Sequence, residues 1–196
     1  MNQRAATPAG RVVLDQEAIG RTLARMAHEV IERNDDLPSV ALVGIHTRGV
    51  PLAQRLRRLI ADRSEVDLDL GQLDITFHRD DVAVRDGRSP RRQQPIVHDT
   101  KLDFELEGRT IILVDDVLYT GRTIRAAIDA LLEYGRPARI QLAVLADRGH
   151  RELPIRPDYV GKNLPTSREQ RVQVQLDEVD EVDRVMLIDE SEEGDR

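Results

Sequence analysis

The sequence predicts an α/β protein of one domain, with a central parallel sheet flanked by helices. Three observations predict it. Short aliphatic runs that read as buried strands alternate with segments carrying apolar residues at helical spacing, and that alternation marks parallel strands joined by helices. The 196 residues suit a single core. Two of the strand-to-helix junctions are turns containing Gly, and in an open α/β sheet ligands bind beyond the carboxyl ends of the strands.

The elements follow in order. Residues 1–11 read as a flexible tail. Asp15 is placed to N-cap a helix reaching Arg33, whose buried stripe is Ile19, Leu23, Met26, Ala27, Val30 and Ile31. Arg21, Arg25 and His28 share another face of it. VALVGI (40–45) reads as a buried strand, HTRG follows, and a helix then carries Leu52, Leu56, Leu59 and Ile60 on one side. VDLDL and LDITF (66–77) read as strand. Residues 78–100 have little apolar periodicity and much Arg, Pro and Gly, which predicts a mobile loop or β-arm.

TIILV (110–114) is a buried strand, and Asp115–Gly121 reads as a loop. The helix after it buries Ile124, Ala127, Ile128, Leu131 and Leu132 and stops at Gly135. IQLAVL (140–145), RVQVQL (171–176) and RVMLI (184–188) are further strands. The folded domain is therefore expected over 12–189, followed by a disordered acidic end, 190–196.

Composition narrows the chemistry. Aromatic residues make up 3% of the chain and there is no Trp, so the core is aliphatic. The absence of Cys excludes disulfides and thiolate metal sites, and fits a reducing cytoplasm. No apolar run approaches the roughly 20 residues that a membrane span needs, and the N-terminus lacks the apolar segment of a secretory signal. The formal charge is −7, but Leu176–Arg196 alone holds ten acids against two arginines, so the rest is close to neutral and leaves room for a basic face.

IILVDDVLYTGRT (111–123) is the most informative stretch. An aliphatic strand meets two adjacent acids, and Thr120-Gly121-Arg122-Thr123 then opens a helix. A Gly-containing turn entering a helix presents unpaired N–H groups and a positive dipole end to a phosphate. Thr120 and Thr123 add hydroxyl donors. Asp115 and Asp116 repel phosphate, so they need another partner, and a ribose diol suits them. HTRGVP (46–51) lies at an equivalent junction, with Arg48 as a fixed cation. An Asp-Asp pair, TGRT or HTRGVP alone is commonly an ordinary strand end or turn; the whole strand–DD–VLYTGRT–helix arrangement is not.

The 111–123 stretch resembles the signature of the type I phosphoribosyltransferase family. The resemblance implies that the acid pair holds the hydroxyls of 5-phosphoribosyl-1-pyrophosphate (PRPP), that Tyr119, Thr120, Gly121, Arg122 and Thr123 bind its 5′-phosphate, and that Thr47, Arg48 and Gly49 bind pyrophosphate, sometimes through a cis peptide. It also implies Mg²⁺, reached by Asp115 or Asp116 through water, a small hood over the sheet, and a dimer or higher homo-oligomer. GIHTRG, LDITFHRDD, ADRGHRELPIRPDYVGKNLPTS and the late RVQVQL strand are similar to the members that regulate pyrimidine operons and also act on uracil. That implies a base site near Ala146, Asp147 and Arg148. It also implies a basic surface for operon mRNA built from Arg21, Arg25, His28, Thr47, His150, Arg151 and Arg156. The position before Thr47, commonly Lys in the regulatory members, is His46 here, and a neutral imidazole weakens phosphate attraction.

The expected function is thus UMP synthesis from uracil and PRPP together with UMP-dependent control of pyrimidine genes through mRNA. Catalysis would come from positioning and electrostatics, with Asp115, Asp116 and Arg48 central and the 78–100 arm closing over the site. Two alternatives stand beside it. One is an RNA regulator that uses nucleotide only as an effector, against which the intact 115–123 stretch argues. The other is a purine phosphoribosyltransferase, against which ADRGHRELP argues.

Overall fold

A computed structural model describes residues 10–76, 78 and 99–189. Residues 79–98 of the expected arm, with Arg79, Arg85, Arg88, Arg91 and Arg92, lie outside the described residues, as do residues 1–9 and the acidic end 190–196. Five strands form one parallel sheet: β2 (Val40–Ile45), β3 (Asp69–Leu73), β4 (Thr110–Leu118), β5 (Arg139–Asp147) and β6 (Tyr159–Asn163), in the order β3-β2-β4-β5-β6. Alternate residues of the central strands enter two cores. Leu42, Ile112, Val114 and Leu145 pack with helices α1 (Gln16–Arg33) and α2 (Gly49–Ser64), whereas Val43, Ile111, Leu113 and Val144 pack with α3 (Arg122–Leu131). Helices thus cover both faces, as the alternation predicts.

A second sheet holds β1 (Gly10–Asp15), β7 (Gln170–Gln175) and β8 (Arg184–Asp189), antiparallel in the order β1-β8-β7. It forms the hood. Its Leu14, Val172, Val174 and Val185 join the core that α1 and α2 share with the main sheet. The short helix α4 (Asp177–Asp180) links β7 to β8.

Several boundaries move. Gly10 and Arg11 are not tail: they pair with Ile188 and Leu187, a long-range partner that no local pattern shows. The strand predicted over 66–77 is confined to 69–73, because Asp74 folds back to accept from the Thr76 backbone N–H at 2.8 Å and starts a turn. The expected loop from Asp115 is instead four more residues of β4. Register with β5 continues from Asp115 opposite Val144 to Leu118 opposite Asp147, so the acids are strand residues. α3 ends at Leu131, a turn short of Gly135. The reading of the sequence missed β6. The α1 boundaries hold, with the Asp15 carboxylate accepting from Ala18 N–H at 2.8 Å.

One polar group crosses the core. Tyr159 is fully buried; its hydroxyl donates to Gln141 at 3.1 Å and accepts from Asn34 at 2.9 Å. It ties the end of α1 to β5 and β6. Tyr159→Phe should lower stability by about 1–3 kcal/mol, since it leaves a buried amide donor and a buried acceptor unpaired. Urea unfolding checks the loss, and an unchanged midpoint would remove the network from the account of stability.

Candidate active site

The carboxyl ends of β2, β4 and β5 meet in one crevice. Parallel register puts Gly44 beside Val114, and Asp115 beside Val144. The chain leaving β2 therefore turns over the acid pair. The turn is tight: a Cβ on Gly49 would lie 2.2 Å from the Val114 carbonyl oxygen and 3.4 Å from the Asp115 Cα. Only a residue without a side chain fits there. The His46–Thr47 peptide in this turn is cis. Thr47 is exposed, while Arg48 is half-buried at the start of α2.

Asp115 is buried and Asp116 half-buried. Asp115 accepts from the Asp116 N–H at 2.9 Å, and Asp116 from the Val117 N–H at 2.8 Å. Burial pushes the Asp116 carboxyl above its ordinary value, against the opposing pull of the Val117 N–H and the Arg48 charge.

Beyond Leu118 the chain forms the phosphate-type turn. Gly121 caps α3 with φ at +94°, a backbone conformation that glycine adopts freely, and no side chain caps the helix start. The Thr120 hydroxyl accepts from Arg122 N–H at 3.3 Å. The Thr120 carbonyl accepts from Glu152 N–H and Leu153 N–H, at 3.0 and 3.1 Å. The Arg122 guanidinium pairs with Glu152 at 2.8 Å. Thr123 is half-buried in the first turn of α3.

The base-side residues come to the same place. Ala146 lies opposite Val117 and is fully buried, and Asp147 lies opposite Leu118. Asp147 accepts from Gly149 N–H at 2.9 Å and from Arg151 at 2.5 Å. Arg148 is buried. Its guanidinium lies 3.9 Å from the centre of the Tyr119 ring and donates to the Gln170 carbonyl in the hood at 2.5 Å. Its side chain therefore locks the loop after β5 to the loop after β4 and to the hood. His150 approaches the Tyr119 ring edge-on and bonds the Thr166 carbonyl at 2.6 Å.

The residues expected to form a basic surface divide in two. Arg21 and His28 are exposed on α1, each paired four residues along the helix with Glu17 and Glu32. Arg25 pairs with Glu29 and also donates to the carbonyls of Val160 and Gly161, at 2.9 and 2.6 Å, pinning α1 to β6. Arg151 does not stand apart from the crevice. It donates to Asp147, to the Tyr119 carbonyl at 2.8 Å and to the Ile155 carbonyl at 3.1 Å, so it braces both loops. Arg156 is exposed and lines a groove of about 770 Å³ with Glu29, Arg33, Arg151 and Asn163.

Sequence and structure comparisons identify the family. The phosphoribosyl transferase domain family matches residues 11–179. The chain belongs to the phosphoribosyl transferase family. Within that family it falls among the PyrR proteins. It is 52% identical to the bifunctional protein PyrR of Listeria monocytogenes (strain HCC23) over 92% of this chain and 97% of that one. It is 55% identical to the bifunctional protein PyrR of a Roseiflexus species (strain RS-1) over 90% and 93%. Among solved structures, the hypoxanthine phosphoribosyltransferases of Staphylococcus aureus and Trypanosoma cruzi superpose with TM-scores of 0.65 and 0.67, at 19% and 20% identity, covering 90% and 96% of this chain and 90% and 95% of theirs. At that identity they show the fold, which is the type I phosphoribosyltransferase fold, and not the base.

Reading the sequence for this family overlooked one partner. Arg48 forms a two-point ion pair with Asp180 of α4, at 3.0 and 2.6 Å. The clue was present as spacing: Arg48 and Arg55 share a face of α2, and Arg55 pairs with Glu178 and Asp183 of the same acidic segment.

Gly49→Ala should displace the turn from Val114 and raise the PRPP KM or lower kcat by on the order of a hundredfold, as small misplacements of binding groups do. Steady-state kinetics with varied PRPP checks it; kinetics within about twofold of wild type would show that the close approach does not position the site.

Proposed function

We propose that this chain transfers the phosphoribosyl group of PRPP to uracil, giving UMP and pyrophosphate, and that it regulates pyrimidine-operon expression by UMP-dependent binding to operon mRNA. The observation that carries the reading is the meeting of the 46–49 turn, the acid pair and the 119–123 turn at one crevice, in a chain so similar to PyrR proteins.

Uracil N1 would attack ribose C1 as the C1–O bond to pyrophosphate breaks and the N1 proton leaves to water. Asp115 and Asp116 would accept from the ribose hydroxyls. The N–H groups and hydroxyls of Tyr119 through Thr123 would hold the 5′-phosphate at the positive end of α3. Thr47, Arg48 and Gly49 would hold the pyrophosphate, and Arg48 would neutralise charge as it leaves. Ala146, Asp147 and Arg148 would border the base, chiefly through backbone, because the side chains of Asp147 and Arg148 are engaged within the protein. Mg²⁺ fits the carboxylate oxygens of Asp115 and Asp116 through water, and when bound it would neutralise phosphate charge. Among the described residues no group of three or more metal-ligating side chains forms, so substrate oxygens and water would complete its shell.

RNA would lie along α1 and the neighbouring groove, meeting Arg21, Arg25, His28, His150 and Arg156, with Arg151 shared between RNA and catalytic loops. Among the described residues no helix is long and apolar enough to cross a membrane. A cytoplasmic location, suited to a chain without cysteine, and assembly into at least a twofold dimer complete the proposal.

With PRPP and Mg²⁺, uracil should be used in preference to hypoxanthine, guanine, adenine or orotate, and a chelator should abolish turnover. Preference for another base would overturn the reading. Arg156→Ala should weaken binding to the pyrimidine-operon leader RNA and reduce the salt slope by about one, with UMP synthesis intact. Arg151→Ala should harm both activities, because the same guanidinium holds the catalytic loops. Equal binding of leader and scrambled RNA would remove the regulatory half and leave the enzyme half standing.

A further inference from the structure

The hood carries an acidic segment, Asp177–Asp183, that faces two arginines of α2. Arg55 is gripped by Glu178 and Asp183, with Nη2–O separations of 2.5 and 2.8 Å. Asp183 also accepts from the Asp177 N–H at 2.8 Å. This cluster ties the hood to α2 by itself. Arg48, seven residues earlier and on the turn above the acid pair, receives a separate carboxylate. Asp180 takes its Nε at 3.0 Å and its Nη2 at 2.6 Å, and is itself fixed by the Leu176 N–H at 3.0 Å. Both side chains are shielded, with 30% and 15% exposure for Arg48 and Asp180.

Arginine has five N–H donors in a rigid plane. The side-on grip by Asp180 uses Nε and one donor of Nη2. Among the described residues both donors of Nη1 and the second of Nη2 remain, and the plane in which they lie is set. A long side chain otherwise loses considerable rotamer freedom when it meets an anion.

We propose that Asp180 is a positioning residue for phosphoribosyl transfer: it holds the Arg48 guanidinium so that its remaining donors face the departing pyrophosphate. The inference rests on the assignment of residues 47–49 to pyrophosphate. Asp180 lowers the net positive charge at the turn, so it does not act by strengthening attraction for PRPP. It acts by fixing a donor before charge develops on the leaving group, which is felt in kcat rather than in substrate affinity.

Asp180→Asn keeps the size of the side chain and an acceptor for Leu176 N–H, and removes the charged fork. Its kcat should fall on the order of tenfold while the PRPP KM stays within about twofold, and Asp180→Glu should recover most of the loss. In an Arg48→Ala background, Asp180→Asn should change kcat by less than about twofold, since its effect runs through Arg48. An unchanged or increased kcat in the single variant overturns the proposal, and so does an equal loss in the Arg48→Ala background. A readout independent of turnover separates this claim from the proposed reaction. In the wild type the Arg48 Nε–H should give a rigid, slowly exchanging ¹⁵N signal that becomes mobile in Asp180→Asn. A mobile signal in the wild type refutes the positioning role even if UMP is made; a rigid signal that loosens in Asp180→Asn together with the fall in kcat upholds it, whichever base is the substrate.

Discussion

At Gly49 the backbone entering α2 lies against the end of β4 so closely that a methyl group would sit 2.2 Å from the Val114 carbonyl. The rest of the site depends on that approach. It brings the 46–49 turn over Asp115 and Asp116, and it sets Arg48 where the charge of Asp116 bears on it. The parallel register of β4 and β5 supplies the other side, because it puts Ala146 and Asp147 level with Val117 and Leu118. Three loops that are far apart in the chain thus converge without a special scaffold. Parallel strands all end at one edge, and that edge is where their loops must meet.

Charge is managed by pairing. The Arg48 guanidinium is held more strongly protonated than usual, first by its hydrogen bond to Asp180 and against the opposing effect of burial. Burial pushes Asp180 upward, but the Arg48 and Leu176 bonds and the Arg48 charge outweigh it and leave the carboxyl below its ordinary value. Asp183 and Glu178 are lowered in the same direction through Arg55. The stability these acids add is present above their ordinary range and is lost as pH falls through their lowered values. The acidic segment 177–183 is therefore part of the folded domain, clasped to α2 beside the crevice.

The central strands of the main sheet were legible because they are buried on both faces and so read as unbroken aliphatic runs: VALVGI matches β2 residue for residue. α1 was legible from Asp15 and its stripe. The hood was only half legible. RVQVQL shows alternation and RVMLI an apolar run, but Gly10–Asp15 becomes a strand only because β8 lies beside it. β6 was hidden in a stretch with few aliphatic residues, held by its pairing with β5 and by Tyr159. The acid pair was read as the start of a loop, whereas β4 runs on to Leu118 and Asp115 lies opposite Val144 of β5. The phosphate turn was visible as a motif. What linked it to residues 147–155 was not, since Arg148 under Tyr119 and Arg151 on the Tyr119 carbonyl are contacts of three-dimensional placement. Spacing alone could have suggested that the basic residues on α1 were paired, because Glu17, Glu29 and Glu32 lie one turn from Arg21, Arg25 and His28.

The central claim is that one nucleotide spans the ends of β4 and β5, with its ribose on the acid pair and its phosphate on the turn that opens α3. A crystal structure of the protein with UMP tests it directly. The account predicts the 5′-phosphate against the N–H groups and hydroxyls of Thr120 through Thr123, both ribose hydroxyls on Asp115 and Asp116, and the uracil ring beside Ala146–Arg148. UMP seated elsewhere, with Asp115 and Asp116 free of the ribose, would contradict it.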